Sequence, residues 1–137
     1  MAVDYETANR VIRNYISDVK SVMPIDKVYL YGSYANGTAQ WDSDIDLCFF
    51  SNGFENENIM KVMELLFELK RQYNKYVCLE PNAFPASELE NDNPFVKEII
   101  RTGQEIPSVY LRYEFFMPDT LASYPVAHFP TVALSFG

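Results

Sequence analysis

Apolar side chains recur every three or four residues near the start of the chain, with polar residues between them. The repeating positions are Ala8, Val11, Ile12, Tyr15, Ile16 and Val19. This period is that of the buried face of an α-helix, and it predicts an amphipathic helix over residues 5–22. Asp4 stands where an N-cap is expected, and Pro24 lies just past the predicted end.

Three short segments predict strands. Residues 27–31 are rich in aromatic and β-branched side chains and are followed by Gly32, which is typical of a strand that ends in a sharp turn. Residues 44–50 alternate in character and predict a second strand. Residues 75–80 predict a third strand, and we expect Pro81 to stop it because proline has no N–H for a sheet ladder.

Two further segments predict helices. Residues 58–72 place one set of apolar side chains on a single helical face, namely Ile59, Val62, Met63, Leu66, Leu69 and Tyr73. Residues 94–102 predict another helix, with Pro94 in its first turn and Gly103 at its C-cap. The order of elements predicts a small α/β (α+β) fold, in which helices pack against a mixed β-sheet.

The composition changes after Pro107. Residues 108–137 are rich in aromatic side chains and contain only three charged residues, Arg112, Glu114 and Asp119. We therefore assign residues 1–107 to one domain and residues 108–137 to a C-terminal tail. An added strand, a partner surface and a poorly ordered segment all remain open for this tail, because exposed apolar segments often mark interfaces.

Charge and cysteine content narrow the classes of function. A net charge of −8 over 137 residues argues against an extended nucleic-acid surface, which needs a basic patch. A nucleoside triphosphate would still bind if metal ions reversed the local field. Cys48 and Cys78 are expected to be free, small buried thiols without an assigned role. No segment has the length and apolarity of a membrane span, and we expect a cytoplasmic protein without membrane contact.

The residues best suited to chemistry lie between the first two predicted strands. Gly32 allows a sharp turn and a close approach of the backbone to a ligand, and Ser33 offers a hydroxyl and an N–H. Asp44 and Asp46 lie two residues apart on a predicted strand, so both carboxylates leave the same face. Paired carboxylates repel unless a cation lies between them, and Mg²⁺ prefers such oxygen ligands.

A third carboxylate is needed if a second metal ion is to bind. Glu80, at the predicted end of the third strand, is the best candidate. We expect one ion, shared by Asp44 and Asp46, to orient the triphosphate. We expect the other ion, shared by both aspartates and Glu80, to lower the pKa of an attacking hydroxyl. The three acids are therefore the candidate catalytic and metal-binding residues.

Gly32-Ser33, ten intervening residues and then Asp44-x-Asp46 resemble the signature of the polymerase-β-like nucleotidyltransferase superfamily, and in particular its minimal nucleotidyltransferase (MNT) branch. The resemblance extends from about Tyr5 to Ile106. It implies the nucleotidyltransferase fold, with Gly32, Ser33 and the two aspartates binding the nucleotide. It also implies Mg²⁺, with two ions expected, and ATP as the substrate.

The MNT branch resembles the antitoxin half of HEPN–MNT toxin–antitoxin pairs. The resemblance implies transfer of AMP from ATP to a tyrosine of a partner HEPN toxin, in a homo- or hetero-oligomer. Two alternatives remain open: nucleotidylation of a small molecule such as an aminoglycoside, and a catalytically weak module that neutralises its partner by binding alone. The second gains weight because Tyr34 and Asn36 stand where members often have a basic residue, and Asn82 where they often have histidine.

Overall fold

A computed structural model of the chain describes residues 5–36 and 44–107, as eight regular elements and three single-turn 3₁₀ helices. The regular elements are α1 (Tyr5–Val22), β1 (Lys27–Tyr31), α2 (Ser33–Asn36), β2 (Ile45–Ser51), α3 (Ile59–Lys70), β3 (Leu79–Pro85), α4 (Pro94–Thr102) and β4 (Gln104–Glu105). The 3₁₀ helices are Asn52–Phe54, Arg71–Tyr73 and Ala86–Leu89. The expectations for Asp4 and for the tail over residues 108–137 lie outside the described residues.

The strands form one four-stranded sheet in the order β3-β2-β1-β4. Strand β1 pairs antiparallel with both β2 and β4, whereas β2 pairs with β3 in parallel. The sheet is therefore mixed, which confirms the predicted fold class. The two-residue strand β4 was not predicted from the sequence, because so short a segment has no measurable alternation.

Helices cover both faces of the sheet. The larger core lies on the face packed by α1 and α3, where Tyr15, Leu66 and Phe49 are fully buried. The hydroxyl of Tyr15 donates a hydrogen bond of 2.7 Å to the carbonyl oxygen of Leu66, which links the two helices and satisfies the buried phenol. A smaller core lies on the other face beneath α4 and consists of Tyr29, Cys48, Phe50, Val96 and Ile99.

The three longer helices confirm the predicted helical segments, and their ends have identifiable causes. Asn58 and Asn93 cap α3 and α4 by accepting hydrogen bonds from backbone N–H groups of the first turn. Gly103 is the C-cap of α4 with a φ of −93°, so it does not adopt the left-handed conformation. A Cβ atom there would lie 2.8 Å from the Leu30 carbonyl oxygen, so this glycine permits close packing of α4 on β1. None of the helices in residues 5–36 and 44–107 is both long and apolar enough to cross a bilayer.

The predicted bounds of the third strand were wrong. Strand β3 begins at Leu79, not at residue 75, and it runs through Pro81 to Pro85. The physical reason is that β3 lies at the edge of the sheet and pairs on one side only, where the missing N–H of a proline is tolerated. Glu80 therefore lies near the start of its strand. The second strand also begins one residue later than predicted, so Asp44 precedes it.

Candidate active site

The turn after β1 brings the backbone against an acidic side chain. Gly32 has a φ of +77°, a conformation that L side chains rarely adopt, and it connects β1 directly to α2. A Cβ atom at this position would lie 2.3 Å from Oδ2 of Asp46. The local sequence therefore needs glycine for both backbone conformation and space, and Ser33, the next residue, begins α2.

Three acidic side chains meet where β2 and β3 run side by side. Asp46 is paired with Glu80 in the parallel ladder, which puts both side chains on the same face of the sheet. The N–H of Ile45 donates to the Cys78 carbonyl oxygen at 2.9 Å, which holds the start of β2 next to the residues that precede β3. Ligand atoms of Asp44, Cys78 and Glu80 all lie within 4.8 Å of one another.

Asp46 lies deeper than Asp44 and is only partly exposed. Burial, followed by the charges of Asp44 and Glu80, raises the pKa of the Asp46 carboxyl from 3.8 to about 6. The shift shows that the three acids interact electrostatically and that the local environment opposes the ionised form. A bound cation would reverse this balance, because it stabilises all three carboxylates.

A family model described as "Polymerase beta, Nucleotidyltransferase" matches residues 11–109 of this sequence. The chain belongs to this nucleotidyltransferase family. The fold is also similar to that of a crystal structure described as a "putative nucleotidyltransferase" from Sulfolobus solfataricus, with a TM-score of 0.54 and 18% sequence identity over 75% of this chain and 86% of that one. At this identity the likeness supports the fold alone. No protein of curated function matches the sequence significantly.

The donor set of this nucleotidyltransferase fits a divalent metal ion. Within the close group, Asp44 and Glu80 offer carboxylate oxygens, the hard ligands that Mg²⁺ prefers. Asp46 stands opposite Glu80 in the ladder and would add a third carboxylate, and substrate phosphates usually complete the shell of the ion. Glycine at position 32 lets the Asp46 carboxylate lie against the turn, because a Cβ atom there would overlap its Oδ2. The predicted residues Gly32, Asp44, Asp46 and Glu80 are thus brought together. The side chains of Tyr34 and Asn36 lie outside the described residues.

The two cysteines differ in environment. Both are free, as predicted, and Cys48 is buried beneath α4. The expectation of burial was wrong for Cys78, which is exposed and whose Sγ donates to Oε2 of Glu80 at 3.5 Å. Partial desolvation, followed by the neighbouring Asp44, raises the pKa of the Cys78 thiol to about 11. The cause of the wrong expectation is the strand boundary, since Cys78 precedes β3 instead of lying within it.

Lys70 is a residue of the nucleotidyltransferase site that sequence reasoning missed. It is the last residue of α3, and its ammonium lies 3.9 Å from Oε2 of Glu80 although the residue is only 9% exposed. A signal was present in the sequence, because Lys70 continues the buried spacing of Val62 and Leu66. A lysine on an apolar helical face indicates a partner that compensates its charge.

Tyr31 and Asn82 form a polar contact on the same face of the sheet as the acids. The Asn82 side-chain amide donates to the Tyr31 hydroxyl at 2.8 Å, and Tyr31 stands opposite Asp46 in the β1–β2 ladder. Burial raises the pKa of Tyr31 to about 12, although the hydrogen bond from Asn82 opposes the shift. Tyr31 therefore stays protonated at neutral pH, and its ring also packs edge-on against Phe95.

Proposed function

We propose that this protein is a Mg²⁺-dependent nucleotidyltransferase that transfers AMP from ATP to an acceptor hydroxyl. The observation that supports this proposal best is the convergence of Asp44, Asp46 and Glu80 beside the Gly32 turn. Family membership supports nucleotidyl transfer in general. The acidic charge of the site supports a dependence on cations, since three carboxylates and a triphosphate would otherwise repel.

Each residue of the site has a proposed part in the transfer. Gly32 and Ser33 would approach and orient the phosphates, and Asp44 and Asp46 would hold one metal ion. Glu80, with the two aspartates, would hold a second. When bound, the ions would neutralise the triphosphate and lower the pKa of the acceptor hydroxyl. The acceptor hydroxyl loses its proton to solvent, and its oxygen bonds to the α-phosphorus. The bond from that phosphorus to the oxygen that bridges it to the β-phosphorus breaks, and pyrophosphate leaves with that oxygen.

We further propose a protein acceptor, namely a tyrosine of a HEPN toxin, so that the chain acts as a cytoplasmic antitoxin. Residues 5–36 and 44–107 form a single sheet with its helices. Asp44 is exposed and Glu80 is partly exposed, so a side chain of another protein has access to both. The resemblance to MNT antitoxins supplies the identity of the partner.

The test is transfer of label from α-labelled ATP to a purified HEPN partner in the presence of Mg²⁺. We expect wild type to label one tyrosine of the partner, and Asp44→Asn or Asp46→Asn to lower the rate by about 10³-fold, because each removes a metal ligand. Asp92→Asn is the matched control, since this exposed aspartate bonds to Lys97 away from the site.

Three related assays would contradict the proposal in distinct ways: labelling of a small molecule, neutralisation of the toxin, and labelling by the Asp44→Asn variant. Labelling of an aminoglycoside without any protein partner would indicate a small-molecule transferase. Full neutralisation of the toxin by the Asp44→Asn/Asp46→Asn double variant would indicate a module that acts by docking alone. Equal labelling by wild type and Asp44→Asn would exclude the proposed catalytic site.

A further inference from the structure

Lys70 is a buried cation next to the acids of the site. A lysine ammonium removed from water is destabilising unless partners compensate its charge. The structure supplies three such contacts. The ammonium donates a 2.7 Å hydrogen bond to the Leu79 carbonyl oxygen, lies 3.9 Å from the Glu80 carboxylate, and stands 4.9 Å from the centre of the Phe67 ring.

These contacts join the end of α3 to the start of β3. Leu79 and Glu80 are the first two residues of β3, and Glu80 is the residue that stands opposite Asp46 in the ladder. The Glu80 side chain is 41% exposed, so water competes for its carboxylate. The neighbouring carboxylates of Asp44 and Asp46 repel it. Lys70 is thus the positive group that opposes this repulsion among the described neighbours of Glu80.

We propose that Lys70 is a positioning residue that holds the Glu80 carboxylate toward Asp44 and Asp46 before the metal ion and triphosphate bind. This inference rests on the proposed function. Lys70 touches no substrate in this role and acts through Glu80 and the Leu79 backbone. Residues that orient metal ligands in this way commonly change metal affinity by about 10- to 100-fold when they are replaced.

Removing Lys70 has two physical effects on cation affinity, and they have opposite signs. Coulomb's law alone predicts tighter binding of a divalent cation when a neighbouring positive charge is removed. Loss of positioning predicts weaker binding, because Glu80 must then be ordered at the moment of binding. A purely structural role predicts lower thermal stability with unchanged affinity. The direction of the change in cation affinity therefore distinguishes the three.

The experiment is a titration of the full chain with Mn²⁺. Electron paramagnetic resonance measures the concentration of free Mn²⁺ at each step, and the Tm of each variant is measured in parallel. We expect Lys70→Met to weaken Mn²⁺ binding by about ten-fold. Lys70→Gln keeps a donor for the Leu79 carbonyl but no charge, so it should stay folded if Lys70→Met does not. It should also bind Mn²⁺ more weakly than wild type. Lys70→Arg keeps the charge and should restore most of the affinity.

The matched control is Lys61→Met, which removes an exposed lysine from the same helix and should leave affinity unchanged. Equal or tighter Mn²⁺ binding by Lys70→Met and Lys70→Gln would overturn the inference and leave the proposed function intact. A wild-type chain that binds no Mn²⁺ would contradict the proposed function, and the inference with it.

Discussion

The environment of Asp46 disfavours its ionised form more strongly than that of an ordinary surface carboxylate. Its pKa of about 6 results first from burial and then from the charges of Asp44 and Glu80. In the unfolded chain none of these causes persists, so the same group titrates near 3.8. The folded state therefore holds a proton in a pH range in which the unfolded state has already released it.

This difference predicts a pH-dependent stability for the metal-free protein. The folded-state pKa is raised, so the associated stability is present below about pH 3.8 and is lost as the pH rises through about 6. We expect Asp46→Asn to be more stable than wild type by about 1 kcal/mol near neutral pH, a value reduced for solvent screening of this partly exposed group. The two proteins should have similar stability at about pH 4.

Urea unfolding in a chelator at several pH values measures this difference. Asp92→Asn serves as the control, because it makes the same substitution at an exposed site. A stability difference between wild type and Asp46→Asn that does not change with pH would contradict the proposed crowding of the acids.

Gly32 gives a second prediction at the scale of one residue. Gly32→Ala adds a Cβ atom to a backbone with a φ of +77° and places it against Asp46. We expect a loss of stability of about 1–3 kcal/mol and a loss of ATP affinity, because the carboxylate must move. Gly53→Ala is the control: its Cβ would press on Pro24, away from the site, and should lower stability without lowering ATP affinity.

Fluorescent ATP analogues report the affinity of both variants, and thermal unfolding reports their stability. If Gly32→Ala bound the nucleotide as wild type does, the dependence of ATP binding on the position of the Asp46 carboxylate would be disproved.

The residues of the site were predictable from sequence to different degrees. Gly32, Asp44 and Asp46 lie in one short stretch whose spacing indicates their chemistry. The prediction of Glu80 depended on where the third strand was placed. The contribution of Lys70 arises from contacts between the end of α3 and the start of β3, and no local pattern specifies that contact.

At the scale of elements, local signals predicted the helices better than the strands. Helix α1 matched its predicted bounds because a long amphipathic period and a following proline define it. Strand β3 was misplaced because its two prolines indicate breaks in an isolated sequence. Only the position of β3 at the edge of the sheet makes Pro81 acceptable, and edge position is a property of the assembled sheet.

Helix α4 provides a prediction at this scale. Asn93 accepts hydrogen bonds from the N–H groups of Phe95 and Val96, and α4 covers the smaller core. We expect Asn93→Ala to lower the free energy of unfolding by about 1 kcal/mol, because two N–H groups lose their partner. Chemical denaturation measures the loss.

Asn91→Ala is the matched control for this cap. Asn91 lies in the same loop and donates to an exposed Glu88 carboxylate, but it caps no helix. Equal losses for the two variants would show that the Asn93 cap contributes nothing specific.

The whole molecule combines a net charge of −8 with a site that is itself acidic. The nucleotide should therefore need a cation to bind, since a free triphosphate adds negative charge to a site that is already acidic. Because ligands that bind only the folded state stabilise it, a nonhydrolysable ATP analogue with Mg²⁺ at about 100 times its Kd should add about 2.7 kcal/mol. This corresponds to a rise in Tm of several degrees.

Differential scanning fluorimetry with the analogue alone, Mg²⁺ alone and both together tests this linkage. We expect the largest shift for the combination, a smaller one for Mg²⁺ alone, and none for the analogue alone; Asp44→Asn should lose most of the shift seen with the combination. A full shift with the analogue alone would show that the nucleotide binds without a cation and would contradict the role of the acids.

The pairing of Asp46 with Glu80 makes the site dependent on the register between β2 and β3. Side chains alternate between faces, so one residue inserted or deleted within β3 ahead of Glu80 would exchange it with a neighbour that points into the opposite core. Length changes in the preceding turn, at residues 74–76, would leave the ladder intact. The tolerance to insertions and deletions should therefore fall sharply between residues 74–76 and the start of β3.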